Sequence, residues 1–332
     1  MPTAVSLFSG CGGSDAGVIA AGFDVIMAND ILPYARDVYL ANFPTTDYRL
    51  EDVSEITTFP DAELLVGCYP CQGFSQGGAR EANRKINTLY LEFARALSEI
   101  QPKAFIAENV SGLRRSTYRH LLEDQLKRFA DAGDHGYDVY WQQLNAHEYG
   151  VAQERKRLVI VGIRKDIGAP FAFPVATHGP SADQPYFSIR EALEGLPEWP
   201  AGEFCEDPFH WYYLSRNRRR AWEEISKTVV SHMRHMPLHP CSPPLRRIHT
   251  DKWEFETDAP ARRFSYREAA RLQGFLPRYT THGEDIVFPE TVSGGKKDFE
   301  YNMMRHRYKV IGNAVPPPMF EAVANALPDI WG

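Results

Sequence analysis

"TAVSLFSGCGGSDAG", residues 3–17, runs from an apolar stretch through a glycine-rich turn into small residues. Residues 3–8 read as a buried strand, and residues 10–17 as a turn entering a helix. The alternation continues. "FDVIMAND" (23–30) is a strand ending in an acid, and "PYARDVYLANF" (33–43) a helix with Pro33 near its start. "AELLVG" (62–67), "KAFIAENV" (103–110), "YDVYWQQL" (137–144) and "RLVIVGIR" (157–164) read as further strands. Helical patterns lie in "LYLEFARALSEI" (89–100) and "YRHLLEDQLKRFADAG" (118–133). Strands alternating with helices predict an α/β fold with a Rossmann-like, mostly parallel sheet. Ligands of such sheets bind at the carboxyl ends of strands, where Gly10–Gly13, Asp30, Cys71 and Glu108 fall.

Beyond residue 168 the character changes. Residues 169–262 are rich in Pro, Arg, His and Trp and lose the alternation, which predicts a second, smaller domain or a large insertion. Helical patterns return in "SYREAARLQGF" (265–275) and "VPPPMFEAVANAL" (315–327), and residues 280–298 read as a long surface excursion. The net charge of −6 argues against a nucleic-acid partner, but residues 211–250 hold eight Lys/Arg against Glu223 and Glu224. That island is +6, which leaves the rest of the chain at −12. With Trp211, Tyr212, Tyr213 and Trp222 it suggests a face that meets phosphates; a solvated charged face fits composition equally well. Five cysteines without a dense framework, no membrane-length apolar run and no leader pattern predict a cytoplasmic protein.

"GCYPCQGFSQGG" (67–78) poses the chemical question, because Cys68 and Cys71 are compatible with a redox dithiol, half a zinc site or a single nucleophile. No second such pair appears, so no metal is expected. The polar, glycine-rich stretch after Cys71 suits a loop beside an active site, with Glu108 the nearest partner by topology. In the first turn, Asp15 stands where a dinucleotide fingerprint wants Gly or Ala. The loop therefore suits a nucleoside without phosphates, with Asp30 placed to accept from ribose hydroxyls. "QERKRLVIVGIR" (153–164) sets Gln153, Arg155 and Arg157 on one strand face, suited to an anion or a carbonyl oxygen.

In this order, "LFSGCGG", "GCYPCQGFS", "AENV", "QERKR", "REAARLQGF" and "IGNAVP" resemble the motifs of the DNA cytosine-5 methyltransferase family. Within it, "SRNRRRAW" followed by "LHP" resembles bacterial restriction-modification enzymes that modify GGCC. The resemblance implies a class I S-adenosylmethionine-dependent catalytic domain (1–168 and 303–332) and a target-recognition domain (169–302). It implies Cys71 as nucleophile, Glu108 at ring nitrogen 3, Arg157 at the carbonyl oxygen and Arg155 at a phosphate or sugar. The S-adenosyl-L-methionine site would comprise Phe8, Gly10, Cys11, Gly12, Gly13, Asp30, Ile31, Asp52, Val53, Tyr69, Pro70, Leu89, Asn313, Ala314 and Val315. Cys68 stands where the family commonly has glycine, Ile31 where it often has an aromatic, and Asp30 where it often has Glu.

Double-stranded DNA is the implied partner, met by Gln72, Ser75, Arg80, Arg84 and Lys85 in a loop closing over a flipped base. Arg216, Arg218 and Arg234 would read guanines, and Arg219, Arg220, Arg246 and Arg247 would meet phosphates. The resemblance further implies a nucleoid-associated monomer, no membrane, and a cognate restriction endonuclease acting on the same site without direct contact. The competing readings are a tRNA cytosine-5 methyltransferase, a binding-only protein with a decayed site, and an NAD-dependent Rossmann oxidoreductase. Asp15 and the Pro-Cys-Gln and Glu-Asn-Val runs speak against the last.

Overall fold

The structure, a computed structural model, describes residues 1–70, 88–291 and 300–331, without the side chains of 300–302. Seven strands form the main sheet: β1 (Thr3–Leu7), β2 (Asp24–Asp30), β3 (Asp47–Leu50), β4 (Leu64–Gly67), β5 (Ala104–Val110), β6 (Tyr137–Asn145) and β7 (Lys156–Arg164). Their order is β3-β2-β1-β4-β5-β7-β6. β1 to β5 run parallel, and β7 is antiparallel to both of its neighbours. The expected mostly parallel sheet is therefore present, with one reversed strand near an edge. Central strands such as β4 are buried along their whole length, which is why they read as continuous apolar runs. β3, "DYRL", is a short polar edge strand that no periodicity announces.

The helices are α1 (Gly13–Ala20), α2 (Pro33–Asn42), α3 (Tyr90–Ile100), α4 (Arg119–Ala130), α5 (Ile189–Ala192), α6 (Tyr266–Gln273), α7 (Glu300–Asn313) and α8 (Pro317–Asn325). One sheet face, with Leu7, Leu65, Phe105 and Leu158, buries Phe93 and Leu97 of α3 and Phe129 of α4. The other, with Ala4, Val66, Ile106 and Val159, buries Val18 of α1 and Met319 and Phe320 of α8. Because the strand order reverses at β1, a crevice opens between the carboxyl ends of β1 and β4.

Residues 169–291 hold little regular structure besides α5, α6 and a hairpin of β8 (Leu245–His249) and β9 (Lys252–Phe255). Two buried arginines organise them. Arg262 makes a two-pronged ion pair with Glu268, 2.7 Å on each side, and Glu268 also accepts from the Ser265 amide at the start of α6. Arg263 lies over the rings of Phe209 and Tyr213 at 4.3 and 4.7 Å and donates to the carbonyls of Arg234, Cys205 and Asp207. Buried charge without such partners would cost several kcal/mol.

The surface excursion expected at 280–298 is corrected for its described part, 280–291. Ile286 and Phe288 are buried in a core shared with α2, α6 and α7. Asn42 of α2 bonds the Val287 amide and carbonyl, and Asp285 pairs with Arg271. A single run of three apolar residues, Ile286 to Phe288, in a polar, glycine-flanked stretch was too short to announce this anchor.

Candidate active site

The crevice begins where β1 stops. The chain turns so sharply that Phe8 takes a left-handed backbone (φ 58°), which a bulky residue adopts only when held there. Hydrogen bonds from the Ser9 amide to Asn29 O and from the Gly12 amide to Ser9 O hold it. Gly10 and Gly12 also have positive φ. At Gly13 a Cβ would stand 2.2 Å from the Val315 carbonyl oxygen, so only glycine lets the segment before α8 cross α1. Asp30, ending β2, accepts from the Gly10 amide (3.0 Å) and the Leu32 amide (3.0 Å). Burial raises its pKa, against the lowering effect of these amides.

Ile31 beside it is 60% exposed, a bare apolar surface next to a carboxylate. Asp52 at the neighbouring strand end caps a short 3-10 turn through Ser54. A carboxylate, an exposed apolar side chain and a second acid fit a ribose and an adenine edge, and no cation cradle for phosphates is present among them. Asp15 is buried and accepts from Ser6 (2.6 Å), Ser14 (2.9 Å) and Tyr39 (2.9 Å), so its role is to lock α1 to the sheet.

At the other side of the crevice, β5 and β7 pair Glu108 with Val159 and Val110 with Arg157. Opposite and alternate residues share a face, so Glu108 and Arg157 meet, Arg157 Nε to Glu108 Oε1 at 2.7 Å. Burial raises the pKa of Glu108 against the opposing pull of Arg157 and Arg155. Cys68, just past β4, is held well above its ordinary thiol pKa by burial and by the Glu108 charge. It is poorly suited to be a thiolate nucleophile at neutral pH. Cys71, with Gln72, Ser75, Arg80, Arg84 and Lys85, lies outside the described residues; Pro70 leads directly to it.

Arg155 departs from expectation. It is 2% exposed and donates to the carbonyls of Val229 (3.1 Å), Gly312 (2.9 Å) and Ala314 (2.8 Å). Both terminal nitrogens are used on backbone, which leaves them unable to hold a phosphate. Gln153, equally buried, bonds the Leu272 carbonyl and the Val229 amide, and Gln273 reaches the Ala314 carbonyl. The strand that presents Arg157 is thus tied to both α6 and the α7–α8 turn. Sequence reasoning missed this knot, because an arginine inside a core is written like one outside it.

The other expected cofactor residues divide. Val53 and Tyr69 are buried in the core, the Tyr69 hydroxyl donating to Gln125 of α4, and Leu89 packs against them. Cys11 points into the α7 side, its thiol on the Val310 carbonyl and its pKa pushed up to about 12 by burial. Asn313 is exposed and Val315 buried.

Among the reader arginines, Arg216 is exposed, over the Tyr212 ring at 5.7 Å. Arg218 packs on Tyr213 and donates to its carbonyl. Arg219 spends two nitrogens on the Ser242 and Pro240 carbonyls, which corrects its expected phosphate contact. Arg220 sits 3.7 Å from both Glu154 and Glu224, and Arg234 pairs with Asp207. Arg246 and Arg247 stand exposed on β8.

Comparison with known proteins agrees with this geometry. The family described as C-5 cytosine-specific DNA methylase matches residues 3–329. The type II methyltransferase M.BsuRI of Bacillus subtilis is 34% identical, over 97% of this chain and 78% of its own. The type II methyltransferase M.NgoPII of Neisseria gonorrhoeae is 32% identical, over 97% and 94%. A mutant of Spodoptera frugiperda DNMT2 superposes with a TM-score of 0.67 at 17% identity, over 97% of this chain and 98% of that one. The Dnmt2 methyltransferase of S. pombe does so at 0.64 and 18%, over 98% and 97%. The fold is that of class I methyltransferases, and the chain belongs to the C-5 cytosine-specific DNA methylase family, as a DNA (cytosine-5) methyltransferase of the bacterial type II kind.

Proposed function

We propose that the enzyme methylates carbon 5 of a cytosine flipped out of duplex DNA, through a covalent bond from Cys71 to ring carbon 6. The observation that carries this reading is the Glu108–Arg157 pair at 2.7 Å, two residues from the end of β5 and one from the start of β7. A carboxyl of raised pKa beside a guanidinium matches the ring edge of cytosine, nitrogen 3 beside the carbonyl oxygen. Thiolate addition places negative charge on the ring. Glu108 relieves it by sharing a proton with nitrogen 3, and Arg157 donates to the oxygen. Carbon 5, now enamine-like, accepts the methyl group; loss of its proton and of the thiolate restores the ring. S-adenosyl-L-methionine, when bound, supplies a methyl group on an electrophilic sulfonium. Asp30 would accept from its ribose, Ile31 and Phe8 would flank its adenine, and Asp52 would accept from the adenine amino group. A thiol cannot reach carbon 6 inside a stacked duplex, so the base must leave the stack.

Residues 1–168 and 303–332 would form the catalytic domain and residues 169–302 the target-recognition domain. Arg216, Arg218 and Arg234 are its candidate guanine readers, and Arg220, Arg246 and Arg247 its phosphate contacts. The short likeness of "SRNRRRAW" to GGCC-modifying enzymes supports GGCC as the site. No helix among the described residues is long and apolar enough to cross a membrane. A monomer in the cytoplasm, sharing its site with a restriction endonuclease, completes the proposal.

Cys71→Ser should abolish methyl transfer, while Cys68→Ala should keep most of it. Duplex DNA carrying 5-fluorocytosine at the target should trap an adduct through Cys71, since fluorine blocks the final elimination. Equal loss in both variants, or methylation without a trappable adduct, overturns the mechanism.

A further inference from the structure

At the strand ends that carry the catalytic pair, on the opposite face of the sheet, lies a basic surface that this chemistry does not use. From Asn109 to Leu122 the chain carries Arg114, Arg115 and Arg119 and no acidic residue, in a protein of net charge −6. The segment leaves β5 after Val110, two residues beyond Glu108, and folds into two short 3-10 turns, Ser111–Arg114 and Ser116–Tyr118. Leu113 is buried and anchors the first turn, while Arg114 and Arg115 are exposed. Arg114 is held against the edge strand: it donates to Gln143 Oε1 at 2.9 Å and lies over the Trp141 ring at 5.8 Å. Lys156 is exposed next to Arg157, across from Asn145, on the strand face that also presents Trp141 and Gln143. Arg119 is already paired with Glu123. No ion pair engages Arg114, Arg115 or Lys156 among the described residues.

We infer that Arg114, Arg115 and Lys156 form a second DNA-binding surface, on the catalytic side of the enzyme, which grips backbone phosphates flanking the target nucleotide. The inference rests on the flipped-base reading. A cytosine whose ring edge meets Glu108 and Arg157 brings its own sugar and neighbouring phosphates to this edge of the sheet. Cations fixed on a rigid turn and a strand end suit sequence-independent phosphate contacts. The recognition arginines would then choose the site, and this surface would hold the duplex against the catalytic edge whatever its sequence.

The test uses the full enzyme with target and non-target duplexes, measuring Kd from 50 to 200 mM salt. Each phosphate contact adds about 0.9 to the slope of log Kd against log[salt]. Arg115→Ala with Lys156→Ala should therefore lower the slope by about 1.8 on both duplexes. The loss of affinity between 50 and 200 mM salt would shrink about tenfold. The methylation pattern and the rate at saturating DNA should not change, and Arg115→Lys should restore most of its share. An unchanged slope, or a slope lowered on the target duplex alone, overturns the inference. Trapping wild type on the 5-fluorocytosine duplex separates the two readings. An adduct with unchanged slopes removes this surface and keeps the mechanism; lowered slopes without an adduct remove the flipped-base reading and leave a plain phosphate-binding surface.

Discussion

Glu108 shows how one residue inherits its chemistry from its neighbours. Burial favours its neutral form, and the Arg157 guanidinium at 2.7 Å favours the charged one; the net shift is upward. A raised pKa means the proton is held fully below the ordinary carboxylate range and lost only as pH rises through the shifted value. If that proton serves nitrogen 3, the single-turnover rate should fall on the alkaline side with Glu108's pKa. Glu108→Gln should lower the rate about 10²-fold or more and abolish that limb. A mutant profile that keeps the limb would assign it to another group. "AENV" made Glu108 legible because it ends an apolar strand. The sequence also marked Cys68 and Cys71 as a pair; the resemblance chose Cys71, and burial and the Glu108 charge make Cys68 a poor thiolate.

Among elements, strands and helices that bury one whole face were readable from their periodicity, as with the Tyr90, Phe93 and Leu97 stripe of α3. β3 and the β8–β9 hairpin were not, since "DYRL" and "LRRIH" carry too few apolar residues to set a period. α7, "EYNMMRHRYKVIGN", is strongly polar and went unread as a helix. Partnerships across long separations were also hidden: Arg155 serves carbonyls 74 to 159 residues away. Arg155→Met should leave three acceptors in and around the core without their guanidinium. Its cost in urea unfolding should be at least the roughly 1–3 kcal/mol of one buried acceptor left without a donor. The salt dependence of DNA binding should stay that of wild type; a lowered slope would return Arg155 to a phosphate.

Across the whole molecule, residues 169–291 are bound to the rest of the chain on two sides, by hydrogen bonds such as Arg155 to the Val229 carbonyl and by close backbone contact with α7. A Cβ at Gly312 of α7 would stand 2.2 Å from the Ser231 amide nitrogen. Gly312→Ala should therefore lower stability by about 1–3 kcal/mol. It should also lower the rate on target DNA, because the same turn receives Arg155. A variant with wild-type stability would show that this seam yields easily. The packing of α8 on α1, through Gly17 against Pro317 and Phe320, sets a schedule for synthesis. The partners are about 300 residues apart, so at about 5–20 residues per second α1 waits roughly 15–60 s on the ribosome for its cover. During that wait the small-residue flank of α1 is bare and the crevice lacks the Val315 wall. Methyl transfer by a newly made enzyme therefore waits until α8 has docked on α1.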